Sequence, residues 1–143
     1  MPETPTPVVV EQTFDAAVED VWNAIVDPRR MRRWFFEQIE DFEPVVGFET
    51  QFDVPVEDRT YPHHWRVTDV VPHERITYDW HYPGHEGESK VTWNLERTPD
   101  GTKLTLVHTG IETFPDDDPV FTRQACEGGW RYFVQENLKA YLR

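Results

Sequence analysis

Apolar side chains recur along this chain with two periods, and each period marks an element. Val8 to Phe14 has strand composition. Beyond it, Val18, Val21, Trp22 and Ile25 stand at i, i+3, i+4 and i+7, the stripe of a helix, with Asp15 as its expected N-cap and Glu19 and Asp20 near its positive end. Asp27-Pro28 stops that helix and caps a shorter one, in which Met31, Trp34 and Phe35 face one way and Arg29, Arg30, Arg32 and Arg33 the other. From Gln38 the period changes to two. Gly47 is expected to turn a hairpin, Phe48, Thr50 and Phe52 share a face, and a strand is expected from about His63 to Val71, where Pro72 breaks it. Ile76, Tyr78, Trp80 and Tyr82 then alternate with polar residues, as do Val91, Trp93 and Leu95, and Leu104, Leu106 and His108. Pro83-Gly84 and Asp100-Gly101 separate these runs as turns. The period returns to 3.6 at the end of the chain. Asp118 and Pro119 are expected at the N-cap and first position of a long helix reaching about Leu142, with Cys126, Trp130, Phe133, Val134, Leu138 and Tyr141 on one face.

The order strand, two helices, a run of antiparallel strands and a long helix predicts an α+β fold. Clean alternation means that one face of the sheet is buried and the other wet. The terminal helix, ~30 Å long, carries the stripe that would cover the buried face. The expected architecture is therefore a helix-grip domain, in which a curved sheet of about six or seven strands wraps around a long C-terminal helix, with two short helices after the first strand. Residues 1–7, rich in proline, read as a flexible lead-in, and residues 8–143 as a single domain.

Composition narrows the partners. Asp and Glu number 27 against 14 basic residues, a net charge of −13, which opposes binding to nucleic acid or anionic membranes because cationic side chains supply most of that affinity. A lysine-poor acidic surface suits a salty cytoplasm, where screening removes self-repulsion, and equally suits an ordinary acidic protein. The single Cys126 excludes an internal disulfide and CxxC metal sites. No run of ~18 apolar residues offers a membrane span, and Glu3 among prolines does not read as a leader, so a cytoplasmic location is expected.

These residues resemble the SRPBCC (START-like, birch-pollen-allergen-like) superfamily, in particular the branch similar to the C-terminal domain of the activator of the heat-shock protein ATPase. The resemblance rests on Thr13-Phe14-Asp15-Ala16, Val21-Trp22, Asp27-Pro28 with Trp34 downstream, Asp69-Val70 before Pro72, Glu74-Arg75-Ile76, and Val91-Thr92-Trp93. Gly101-Thr102, Leu104-Thr105-Leu106 ahead of His108 and Gly110, Gly129-Trp130 and Tyr141-Leu142 complete it. It spans nearly the whole chain in order and is specific for fold. Such families hold ligand carriers, cyclases, self-resistance proteins and co-chaperone domains, so the resemblance alone does not select an activity.

Candidate chemistry is sparse. His108 shares a face with Leu104 and Leu106 and should point under the terminal helix, either as a polar contact or base in a pocket or as a hydrogen-bonded core histidine. Arg123 and Asn137 fall on the inward side of that helix and need partners. Arg123 is expected either to hold an anionic group at a cavity mouth or to pair with Asp116, Asp117 or Glu127. Phe52, Trp65, Tyr78, Trp80, Trp93, Cys126 and Trp130 form an aromatic and apolar lining that serves equally as core, with the facing of Trp65 ambiguous. His63, His64, His73, His81 and His85 show no spacing of three ligands, so neither a metal nor a cofactor is assigned. The Arg29–Arg33 cluster could dock an acidic partner or form surface ion pairs.

Three functions follow as expectations. The first is a module that binds a small apolar or aromatic ligand between sheet and helix, using Phe52, Trp65, Tyr78, Trp80, Trp93, His108, Arg123, Cys126 and Trp130. The second, implied by the resemblance, is a co-chaperone with a chaperone partner. The third is a cyclase, dehydratase or hydrolase with His108 as acid or base. No nucleophile is paired with an orienting acid in the sequence, so no catalytic residue is assigned.

Overall fold

A computed structural model describes residues 7–114 and 121–142. Six antiparallel strands form one sheet in the order β1-β6-β5-β4-β3-β2. They are β1 (Val8–Phe14), β2 (Glu49–Val56), β3 (Arg59–Val71), β4 (Arg75–His81), β5 (Ser89–Thr98) and β6 (Gly101–Thr109). The first strand pairs with the last along its whole length, from Val8 opposite His108 to Phe14 opposite Thr102. Between β1 and β2 lie α1 (Val18–Val26) and α2 (Pro28–Trp34). The C-terminal helix runs from Arg123 to Tyr141 and widens from α to π winding over Arg131–Leu138. This is the expected helix-grip arrangement.

The alternating pattern does what two-fold periodicity requires. Ile76, Tyr78 and Trp80 on β4, Val91, Trp93 and Leu95 on β5, and Leu104, Leu106 and His108 on β6 are all buried on the concave face. Trp130, Val134 and Leu138 of the helix close over that face. Asp27 acts as foreseen between the two short helices, accepting from the Arg29 N–H at 2.9 Å while its own N–H closes α1 on Asn23 O. The Trp34 indole N–H donates to Ala24 O at 2.8 Å and fixes α2 on α1.

Three expected boundaries differ. Ala17, not Asp15, is the N-cap of α1, and no side chain caps it. The preceding chain is held instead by β6: Thr102 Oγ1 donates to Ala16 O at 2.8 Å, and a Cβ at Gly101 would lie 2.0 Å from Phe14 O. Only glycine permits that passage. No strand lies between α2 and Gly47, whose N–H donates to Val67 O from a turn ahead of β2. Pro44 has no amide proton to give a ladder there. The β2–β3 hairpin turns at Glu57, a non-glycine residue at φ 58, so no turn signature announced it. Consequently β3 begins at Arg59 rather than His63 and includes Pro62, which is tolerated because β4 pairs with β3 only from His64 onward. The expected helix start at Asp118–Pro119 lies outside the described residues. Within them, Thr122 is the N-cap, accepting from the Ala125 N–H at 3.1 Å.

Candidate functional site

The helix meets the sheet through His108. Its ring is 2% exposed, and both nitrogens are occupied. Ser89 Oγ donates to Trp80 O at 2.6 Å, so its own lone pairs face His108 Nε2 at 2.8 Å, which must carry the proton. Nδ1 is then the acceptor, receiving the Trp130 indole N–H at 3.0 Å and the Cys126 thiol at 3.2 Å. Burial lowers the His108 pKa to about 3 and pushes the Cys126 thiol up to about 12. His108 is therefore a neutral, fully paired core histidine, with no lone pair left to abstract a proton. The acid–base role considered for it has no free nitrogen to act through.

Much of the space under the helix is filled by the protein's own rings. Phe35, at the end of α2, stacks on Trp65 with centroids 5.6 Å apart and meets Trp93, Trp130 and Phe133. What stays open is a cavity of about 130 Å³ at one end of the groove. Its sheet side is His63, Trp80, Tyr82 and His108, and Phe36 closes the side toward α2. Ile111 and Phe114 follow β6, and Phe121, Ala125, Cys126, Gly129, Trp130 and Phe133 come from the helix and its lead-in. No carboxylate, ammonium or guanidinium is among these side chains.

Of the residues singled out from sequence, Trp80, His108, Cys126 and Trp130 meet at this cavity. Phe52, Trp65, Tyr78 and Trp93 do not line it; they are buried deeper along the groove, where the Trp93 indole N–H donates to Tyr78 OH at 2.9 Å. Arg123 is exposed and donates to Pro7 O at 3.1 Å, away from the cavity wall, while Glu127 pairs with Arg131 at 2.6 Å. Asp116 and Asp117 lie outside the described residues. Asn137 satisfies its amide on Trp34 O at 3.2 Å. In the arginine cluster, Arg29 and Arg30 pair with Asp27, and Arg32 donates to Ile39 O at 2.9 Å.

His63, weighed from sequence only as a possible metal ligand, is a further polar side chain at this cavity. It is 6% exposed and points inward with Trp65, since residues two apart on β3 share a face. Its neighbour His64 points outward, beside His81 and Glu49. His63 Nδ1 lies 2.9 Å from Tyr61 O, and a carbonyl only accepts, so Nδ1 carries the proton. Burial lowers its pKa to about 4, so the ring is neutral, and among the described residues no group donates to Nε2. Trp80 also contributes an unanswered group, an indole N–H without a hydrogen-bond partner. Tyr82 OH is close enough to feel that N–H but does not complete a bond, and burial raises its pKa. Tyr82 extends the alternation of Ile76, Tyr78 and Trp80, and Phe133 shares the inward stripe of the helix, so both were accessible to pattern reading. Among the described residues, no group of three or more His, Cys, Asp or Glu is placed to hold a metal.

The model of the family described as activator of Hsp90 ATPase homolog 1-like protein matches residues 15–143. No curated protein matches the chain. Among solved structures, protein CV1439 from Chromobacterium violaceum superposes with a TM-score of 0.81 at 23% identity, covering 97% of this chain and 98% of that one. Protein MLL2253 from Mesorhizobium loti gives 0.76 at 27% identity, with 96% of each chain covered. DynU16, from the dynemicin biosynthetic locus, gives 0.73 at 27% identity, covering 97% of this chain and 48% of that one. Among the described residues, no helix is long and apolar enough to cross a membrane.

Proposed function

This chain belongs to the family of activator of Hsp90 ATPase homolog 1-like proteins, within the SRPBCC superfamily, and on that footing we propose that it binds a small apolar or aromatic metabolite between sheet and helix. The observation that carries this reading is the cavity of about 130 Å³, walled by rings and holding few polar groups. An apolar cavity of ~150 Å³ is enough to take up benzene, so the open space suits a single ring or an equivalent aliphatic group. The placement of the similar DynU16 in a biosynthetic locus supports a small-molecule partner.

Trp80 and Trp130 form part of the cavity wall, so occupancy should change tryptophan emission. A titration with toluene, indole and short-chain alcohols, alongside native mass spectrometry of protein purified from cells, tests the reading. Saturable emission changes with at least one probe support it. Flat titrations at millimolar concentrations together with an unadorned mass would end it.

The family description supports a second reading, stimulation of a heat-shock ATPase through surface contact. An ATPase assay with the chaperone separates the two. Stimulation that survives substitution of Gly129 by Leu, which places a side chain at the cavity wall, would move the assignment to the surface.

A further inference from the structure

Resting on the cavity reading above, the geometry points to His63 as the specificity-determining residue: we propose that it selects an uncharged, hydroxyl-bearing ring of about phenol size.

The argument begins with what the cavity lacks. Among the described residues its wall offers no cation for a carboxylate or phosphate and no anion for an ammonium, and an unpaired charge taken into such a site is strongly penalised. The two histidines at the wall differ in what they leave open. His108 has both nitrogens bonded to the protein. His63 is oriented by the Tyr61 carbonyl, is held in the Nδ1–H tautomer, and keeps Nε2 as an acceptor. Phe52 stacks on its ring at 5.4 Å and Tyr82 meets it edge-on at 4.8 Å, so the ring is held in place before any ligand arrives.

An acceptor calls for a donor on the ligand. A hydroxyl supplies that donor without bringing a charge into the cavity. An ether, a ketone or a hydrocarbon would leave Nε2 unpaired. The open volume limits the body of the ligand to about one ring.

The test compares phenol, toluene and benzoate on the full chain and on His63→Phe, by fluorescence titration. In the unmodified protein phenol and toluene should bind and benzoate should not. In His63→Phe the ratio of phenol to toluene affinity should fall about tenfold, the weight of one buried hydrogen bond, with toluene affinity little changed. An independent readout is the ¹⁵N resonance of His63 Nε2, which should move upfield with phenol and stay in place with toluene. That measurement needs no variant to fold. An unchanged ratio, a stationary Nε2 resonance, or benzoate binding tighter than phenol overturns the assignment to His63. Failure of both phenol and toluene to bind the unmodified protein would instead remove the cavity reading beneath it.

Discussion

The Trp130 indole N–H donates to His108 Nδ1 at 3.0 Å, joining the C-terminal helix to β6 by a polar bond inside an apolar core. Ser89 holds the other side of the imidazole, so the helix is registered to β5 and β6 together. A hydrogen bond placed there contributes little net energy while made, and costs far more when one partner is left alone. It sets where the helix sits, and so how much room remains beside it.

Replacing His108 by Leu leaves the Trp130 N–H buried without an acceptor. Urea unfolding should show a loss of about 2–4 kcal/mol, combining an unsatisfied donor with altered packing. Trp130→Phe should cost less in the His108→Leu background than alone, and the cycle should give a coupling of at least about 1 kcal/mol. Purely additive effects would mean that the bond does not tie the two elements.

Acid should act through the two buried histidines. Burial depresses the folded-state pKa values of His63 and His108 to about 4 and about 3. Below the unfolded value of ~6.5 the unfolded chain binds protons that the folded chain refuses, so stability is full above that pH and falls as acid is added. By the time pH reaches the folded value the loss should be about 3 kcal/mol for His63 and about 4–5 kcal/mol for His108. Unfolding of His63→Phe should show a shallower decline between pH 6.5 and 4 than the unmodified chain, those limits being the unfolded and folded values. Equal slopes would contradict burial of a neutral His63.

Gly128 and Gly129 stand in mid-helix, and a Cβ at either meets nothing within 4 Å. Alanine at each should therefore raise stability by up to about 1 kcal/mol through helix propensity. Their consequences differ because only Gly129 lines the cavity. Gly129→Leu should weaken toluene binding by tenfold or more while Gly128→Leu leaves it unchanged. Equal behaviour of the two leucine variants in the titration would place the ligand elsewhere.

With a net charge of −13, the folded chain repels itself. Sodium chloride between 0.1 and 1 M shortens the screening length from ~10 to ~3 Å, so Tm should rise with salt. A Tm that falls over the same range would show that local ion pairs, such as Arg75–Asp69 at 2.6 Å, outweigh the global repulsion.

The architecture was legible because periodicity is a local property. Alternation on β4, β5 and β6 and the stripe Trp130, Val134 and Leu138 each follow from which side chains seek water, and they reproduce the six-stranded sheet and its covering helix. Boundaries were missed where a long-range contact replaced a local signal. Asp15 gave way as a cap because Thr102 and Gly101 hold the chain from β6, and the turn at Glu57 carries no glycine.

The site was only half legible for the same reason. Trp80, His108, Cys126 and Trp130 could be placed on inward faces, but a face does not say how far along the groove the empty space lies. That was decided by Phe35, a residue beyond the end of α2, which lies against Trp65 and Trp93. The two histidines make the distinction plain. Strand parity could assign His108 to an inward face, while the facing of His63, like that of Trp65, stayed ambiguous; which one keeps a free nitrogen depends on their neighbours in space, Ser89 and Trp130 for His108 and the Tyr61 carbonyl for His63. Sequence thus determined the layers, through the free energy of burying apolar faces. Tertiary structure alone decided which polar atoms are left unanswered, because hydrogen-bond saturation is a property of three-dimensional neighbours.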